Sequence, residues 1–199
     1  AESFNSFINS VNIAKSLGKT PIINFTVTRD SVRFLPEMVE LTTSLDALLW
    51  INPVFDYQDF GKFEPRTIEY IKYYSRNKSV SMNLAALEFL KGFGNSTIKP
   101  RCRAGKATIT ICPDNSLAIP CIKNKEGKVK IGGSIKQTLE ANGELLSKDG
   151  KMDICSGCTM WTYVIPSFLY KIDKYFFLDL WSLLDLYRKD YRMNKGGKK

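Results

Sequence analysis

Two short runs, PIINFTV at 21–27 and ALLWINPV at 47–54, are apolar almost throughout, and a helical pattern separates them. A strand with one wet face alternates apolar and polar residues. A strand that is apolar on both faces is covered on both, which is the condition of a parallel sheet flanked by helices. RDSVRFLPEMVELTTSL (29–45) is the intervening helix, with Pro36 required near its first turn, and Pro53 ends the second strand. Ahead of both strands, Phe4, Phe7, Ile8, Val11, Ala14 and Leu17 form the apolar face of a helix that Gly18 stops. Helix, strand, helix, strand with short connections is the order of parallel βα units.

Two further helices are expected at 65–77, with Pro65 at a helix-start position, and at 80–94. The texture then changes at about residue 97. KATITIC (106–112) alternates as a strand, PDNS is a turn and LAIPC (117–121) returns, which makes a hairpin. A Gly/Lys-rich loop at 123–133, a helix at 134–148 and a long aromatic helix at 167–191 complete the pattern. The fold class is α/β with three divisions: a βα part at 1–96, a cysteine-bearing α+β module at 97–165, and a C-terminal helix with basic tail at 166–199. The chain opens without Met directly into the first helix, and the expectation is that it is a piece of a larger protein.

The net charge is +9, but the basic residues are scattered apart from the tail RKDYRMNKGGKK. Without an aromatic-and-basic strand motif, nucleic-acid binding is not expected. No apolar run reaches the length of a membrane span, because Asp179 and Asp185 interrupt YFFLDLWSLLDLY. No export signal is visible, so the five cysteines point to thiol or metal chemistry in the cytoplasm and not to a disulfide framework. The chain has no histidine, which removes Ser-His-Asp and Cys-His catalysis and every His-ligated zinc site.

The cysteines stand at 102, 112, 121, 155 and 158. A hairpin returns its ends to one place, so Cys102 and Cys121 can converge, and the C-x-x-C adds two thiols one tight turn apart. Four converging thiolates bind Zn²⁺ or an iron–sulfur cluster. A redox dithiol at Cys155–Cys158 and four unrelated cysteines are the other readings. Cys112, at the far end of the first hairpin strand, reads as a buried structural thiol.

CRAGKATITICPDNSLAIPC (102–121) resembles the opening of the SPASM/Twitch module of radical SAM enzymes, with Asn115-Ser116 where that family usually has glycine. IGGSIKQTL (131–139) and CSGC (155–158) resemble its later segments. ESFNSFINSVNIAKSLGKTPIINFTVTRDSVRFLPEMVELTTSL is similar to the fourth helix, fifth strand and fifth helix of the radical SAM partial (β/α)6 barrel, and LLWINPVFD (48–56) to its sixth strand. The likeness runs to about residue 165. It implies the C-terminal part of such a barrel followed by a small Cys-rich module.

The resemblance further implies that Cys102, Cys121, Cys155 and Cys158 hold one auxiliary [4Fe–4S] cluster, fully ligated and so suited to electron transfer. S-adenosylmethionine and a second [4Fe–4S] cluster would belong to the full-length parent. Asn24, Thr26, Thr28, Asn52, Pro53 and Val54 would line the S-adenosylmethionine pocket, although Thr26 and Thr28 also suit an ordinary strand. Arg101 and Arg103 would flank the cluster and raise its potential, or be solvated. The partners implied are the N-terminal half of the barrel and a substrate of unknown kind, small molecule or peptide. The C-x3-C-x2-C of the catalytic cluster occurs nowhere in this sequence. The alternative function is a non-enzymatic interaction module built on a four-cysteine zinc site. The aromatic C-terminal helix is expected to pack onto the barrel or a second chain.

Overall fold

The computed structural model describes residues 2–55 and 63–196. Asp56, at the end of the sixth-strand phrase, and residues 197–199 of the basic tail lie outside the described residues. The chain is mixed α/β and divides into two compact units, Ala1–Leu87 with Leu178–Lys199, and Glu88–Phe177. The division falls inside two helices, α4 and α8, described below.

The first unit is built on a parallel sheet. β1 (Ile22–Val27) pairs with β2 (Leu48–Pro53) from Ile22↔Leu48 to Val27↔Pro53, and β2 pairs with β3 (Val80–Met82) through Leu49↔Val80 and Ile51↔Met82. Leu48, Leu49, Ile51 and Val80 are buried, as continuous apolar strands require, but β1 is covered on one face only: Ile23 and Val27 are buried, while Ile22, Asn24 and Thr26 are exposed. α1 (Glu2–Ser16) ends at Gly18, whose φ of 68° is the left-handed conformation that closes a helix. α2 (Leu35–Ser44) carries Pro36 in its first turn, after a 3-10 turn at Ser31–Phe34, and α3 (Pro65–Tyr74) starts on Pro65. The expected apolar face of α1 is only lightly covered. Val11 alone is buried, and Phe4 and Leu17 are exposed.

The segment 80–94 is not one helix. Val80–Met82 is the third strand, and α4 (Leu84–Lys91) follows, capped by Asn83, whose Oδ1 accepts the Ala86 N–H at 3.0 Å. Three residues are too few to show a period of two, so the strand was hidden in the helical pattern beside it.

α8 (Lys174–Gly196) explains what becomes of the free edge of β3. An edge strand presents unpaired N–H and C=O groups. Lys189 Nζ donates to the Val80 carbonyl at 2.6 Å, and Ser182 Oγ accepts the Leu84 N–H at 2.9 Å. Asp179 accepts from Asn83 Nδ2 at 2.6 Å. These three polar residues are buried, while Leu180, Trp181, Leu183 and Tyr187 on the same helix are exposed. The helix is inverted because the surface it covers is backbone, which is polar. Among the described residues no helix is long and apolar enough to cross a membrane.

Burial holds the Asp179 carboxyl above the ordinary aspartate range, with the Asn83 hydrogen bond opposing the rise. A carboxyl raised on folding binds its proton more tightly in the native state. Its contribution therefore favours folding at low pH and is lost as pH climbs through the raised value. Asp179→Asn is expected to flatten the pH dependence of stability above about pH 4, measured by urea unfolding at several pH values. A pH profile identical to wild type contradicts this.

The second unit holds an antiparallel sheet. β4 (Thr110–Ile111) pairs with β5 (Ser116–Ala118), and β5 with β6 (Lys128–Lys130). The hairpin turn is Cys112–Asn115, where Asn115 adopts φ 58° and donates its N–H to the Cys112 carbonyl at 3.0 Å. The third strand lies inside what the sequence presents as loop. The helix expected at 134–148 breaks at Asn142-Gly143 into α5 (Ile135–Ala141), opened by a Ser134/Gln137 capping box, and α6 (Gly143–Ser147). The expected 167–191 helix is likewise α7 (Trp161–Ser167), a 3-10 turn at Phe168–Tyr170, and α8.

Candidate metal centre

Three loops of the second unit meet at one buried cavity. Cys102 precedes the antiparallel sheet, Cys121 follows β5, and Cys155 and Cys158 bracket the turn after a 3-10 segment at Asp153–Cys155. All four line the same cavity, together with Asn95 and Tyr163. All four are buried and none is in a disulfide. Cys112 is buried too, but in the hairpin turn and not on the cavity wall.

The polar side chain that draws these loops together is Asn95, which is buried. Its Nδ2 donates to the carbonyls of Gly150 at 2.8 Å and Cys155 at 3.1 Å. Its Oδ1 accepts the N–H of Arg101 at 2.9 Å and of Cys102 at 3.1 Å. Its own backbone pairs with Cys158 and Gly157 at 3.1 and 2.9 Å. One residue thus ties the Cys102 loop to the C-x-x-C loop. Gly94 permits the approach: a Cβ there would lie 2.4 Å from the Gly157 carbonyl oxygen, at a φ of +78°. Tyr163 fixes the third loop, its hydroxyl accepting the Ile122 N–H at 3.1 Å and bonding Thr110 Oγ1 at 2.6 Å.

The sequence pattern did not single out Asn95. The only local signal is its place at the end of GFGN, a turn-like stretch before the first cysteine. Its side-chain partners lie as far as 60 residues away in the chain.

Burial pushes the Cys102 thiol up to about 12, with the Ala104 N–H opposing and the charges of Cys158, Cys121 and Cys155 adding to the rise. Burial also raises Cys121, against N–H bonds from Lys123 and Asn124, and Cys155, against one from Met152. The thiols therefore feel one another, and each of these three sulfurs is met by at least one backbone N–H. Any metal or cluster bound here must displace protons, so its affinity falls as pH falls.

The flanking arginines are engaged in ion pairs. Arg101 grips Asp173 through both terminal nitrogens at 2.5 and 2.7 Å and lies over the rings of Phe168 and Tyr175. Arg103 meets Asp149 at 3.6 Å, and Lys106 meets the same buried carboxylate at 3.1 Å.

Among the described residues no group of three or more His, Cys, Asp or Glu side chains is arranged to hold a metal ion. The cavity that the four thiols line is small, about 10 Å³. A zinc ion takes four sulfurs about 2.3 Å from one centre, and a four-iron cluster takes one thiolate at each iron.

The residues expected to meet S-adenosylmethionine lie in the first unit. Asn24 and Thr26 are exposed on β1, and Thr26 stands opposite half-buried Asn52 on the same sheet face. Pro53 is buried and points to the other face with its partner Val27. Val54 follows β2 and donates its N–H to Val27 at 2.8 Å. Thr28 lies beyond β1, where its Oγ1 accepts the Ser31 N–H at 3.0 Å and helps start the 3-10 turn.

No protein-family model, curated protein or solved structure matches this chain.

Proposed function

We propose that this chain is the C-terminal, auxiliary-cluster part of a radical S-adenosylmethionine enzyme, with Cys102, Cys121, Cys155 and Cys158 holding one [4Fe–4S] cluster. The observation that carries the reading is that these four thiols, and not Cys112, line a single buried cavity. When bound, such a cluster accepts and donates single electrons.

The chain's own residues do the holding and tuning. Asn95 sets the distance between Cys102 and the C-x-x-C loop. The N–H groups of Ala104, Lys123, Asn124 and Met152 aim at sulfur and stabilise its negative charge. Hydrogen bonds to sulfur raise a cluster's potential, while Arg101 is paired with Asp173 and Arg103 shares Asp149 with Lys106. Burial of the thiols keeps water from them.

On the same reading Asn24, Thr26 and Asn52 face S-adenosylmethionine from the sheet, with Thr28, Pro53 and Val54 shaping the strand ends. The catalytic cluster and the rest of the barrel come from sequence outside this chain, the substrate is a small molecule or peptide, and the compartment is the cytoplasm.

Low-temperature EPR of the reconstituted chain tests the redox assignment. One-electron reduction is expected to produce a paramagnetic cluster signal. No 5′-deoxyadenosine is expected from S-adenosylmethionine with this chain alone. An EPR-silent, dithionite-insensitive chain that holds zinc contradicts the proposal and supports the zinc-bound interaction module.

A further inference from the structure

The first unit contains a second cavity, of about 480 Å³, with no cysteine in its wall. Its volume is that of small-molecule sites in general. Lys72, Arg76 and Lys78 line it from the end of α3 and the loop that follows, and Lys189 and Arg192 line it from α8. One carboxylate, Asp185, is present, and it is committed to Lys189 at 2.6 Å. Lys189 is committed twice, since it also donates to the Val80 carbonyl.

The side chains of Lys72, Arg76, Lys78 and Arg192 have no ion pair or hydrogen bond among the described residues. Isolated surface cations need no partner, because water screens them. Four that face one cavity are different, since a concave wall of one sign concentrates its field and draws in counter-ions. Trp181 forms an apolar, planar part of the same wall, with the Arg188 guanidinium 5.4 Å from its ring. Such a wall suits the flat body of a ligand whose charged part meets the cations.

We propose that this cavity binds the oligophosphate group of a small molecule. Arg76 and Arg192 supply forked donors, Lys72 and Lys78 supply point charges, and Trp181 borders the remainder of the ligand. The site is built entirely from the first unit and stands independently of the cluster assignment.

Calorimetric titration of the full chain with inorganic tripolyphosphate, and separately with ATP, tests it. Saturable binding of one molecule per chain at physiological salt is expected. The double variant Arg76→Glu/Lys78→Glu is expected to weaken it roughly tenfold or more, through loss of charge-assisted hydrogen bonds. Both positions are exposed, so the thermal unfolding of this variant should match wild type. Lys128→Glu/Lys136→Glu, in the second unit, should bind like wild type. ATP binding more tightly than tripolyphosphate, with the difference lost in Trp181→Ala, identifies a nucleotide as the source of the phosphates. Equal binding identifies inorganic polyphosphate. Unsaturable binding, or equal weakening in both double variants, overturns the proposal.

Discussion

Asn95→Ala is expected to destabilise the second unit by about 3 kcal/mol and to leave the four-cysteine site unable to retain the proposed cluster. The substitution removes two donated and two accepted hydrogen bonds from a buried position. Each such bond contributes about 1 kcal/mol net, and each stranded partner adds a desolvation cost unless water enters. The loss falls on the carbonyl of Cys155 and the N–H of Cys102, so two thiol-bearing loops lose their common anchor. Urea unfolding of the chain, with and without bound metal, measures the effect. Asn95→Asp keeps the acceptor and loses the donor, and should be at least as damaging because it buries a charge. A loss below about 1 kcal/mol for the alanine variant would show that packing alone holds the loops together.

Gly94→Ala should be comparably severe for a different reason. The added Cβ meets the Gly157 carbonyl oxygen at 2.4 Å and its carbon at 2.7 Å, and backbone cannot swing aside as a side chain can. A left-handed φ of +78° adds strain for any L-residue. Together these predict a loss of roughly 3 kcal/mol or more, with the C-x-x-C loop pushed off Asn95. Gly143→Ala is the matched comparison. Nothing lies within 4 Å of a Cβ there and the residue opens α6, so this variant should be neutral or slightly stabilising. Equal unfolding midpoints for the two variants would rule out the close approach of Gly94 to Gly157.

Much of the first unit was legible because its signals are local. Continuous apolar strands, Pro36 and Pro65 at helix starts, and Gly18 at a helix end each act within a few residues of themselves. The inversion of α8 was not legible. Its aromatic residues predict burial, yet burial goes to Asp179, Ser182 and Lys189, because the neighbouring surface is the unpaired edge of β3. Only the sheet order reveals that edge. β3 itself, three residues beside a helix, and β6, three residues within a Gly/Lys-rich stretch, are too short to carry a period.

For the site, the hairpin logic that pairs Cys102 with Cys121 needs only a turn, and PDNS supplies it. The clip that joins this pair to Cys155 and Cys158 depends on one asparagine reaching across the chain to carbonyls that no local pattern marks. Cys112 shows the same division. Its place at the turn was readable, while its separation from the cavity is a property of the folded loops.

Cys102, Cys121, Cys155 and Cys158 are proposed to hold one iron–sulfur cluster. Anaerobic reconstitution with iron and sulfide, followed by metal and sulfide assay and the visible spectrum, tests it most directly, alongside Cys155→Ala/Cys158→Ala. About four irons and four sulfides per chain with brown absorbance are expected, lost in the double variant and kept in Cys112→Ala. One tightly held zinc and no sulfide contradicts it.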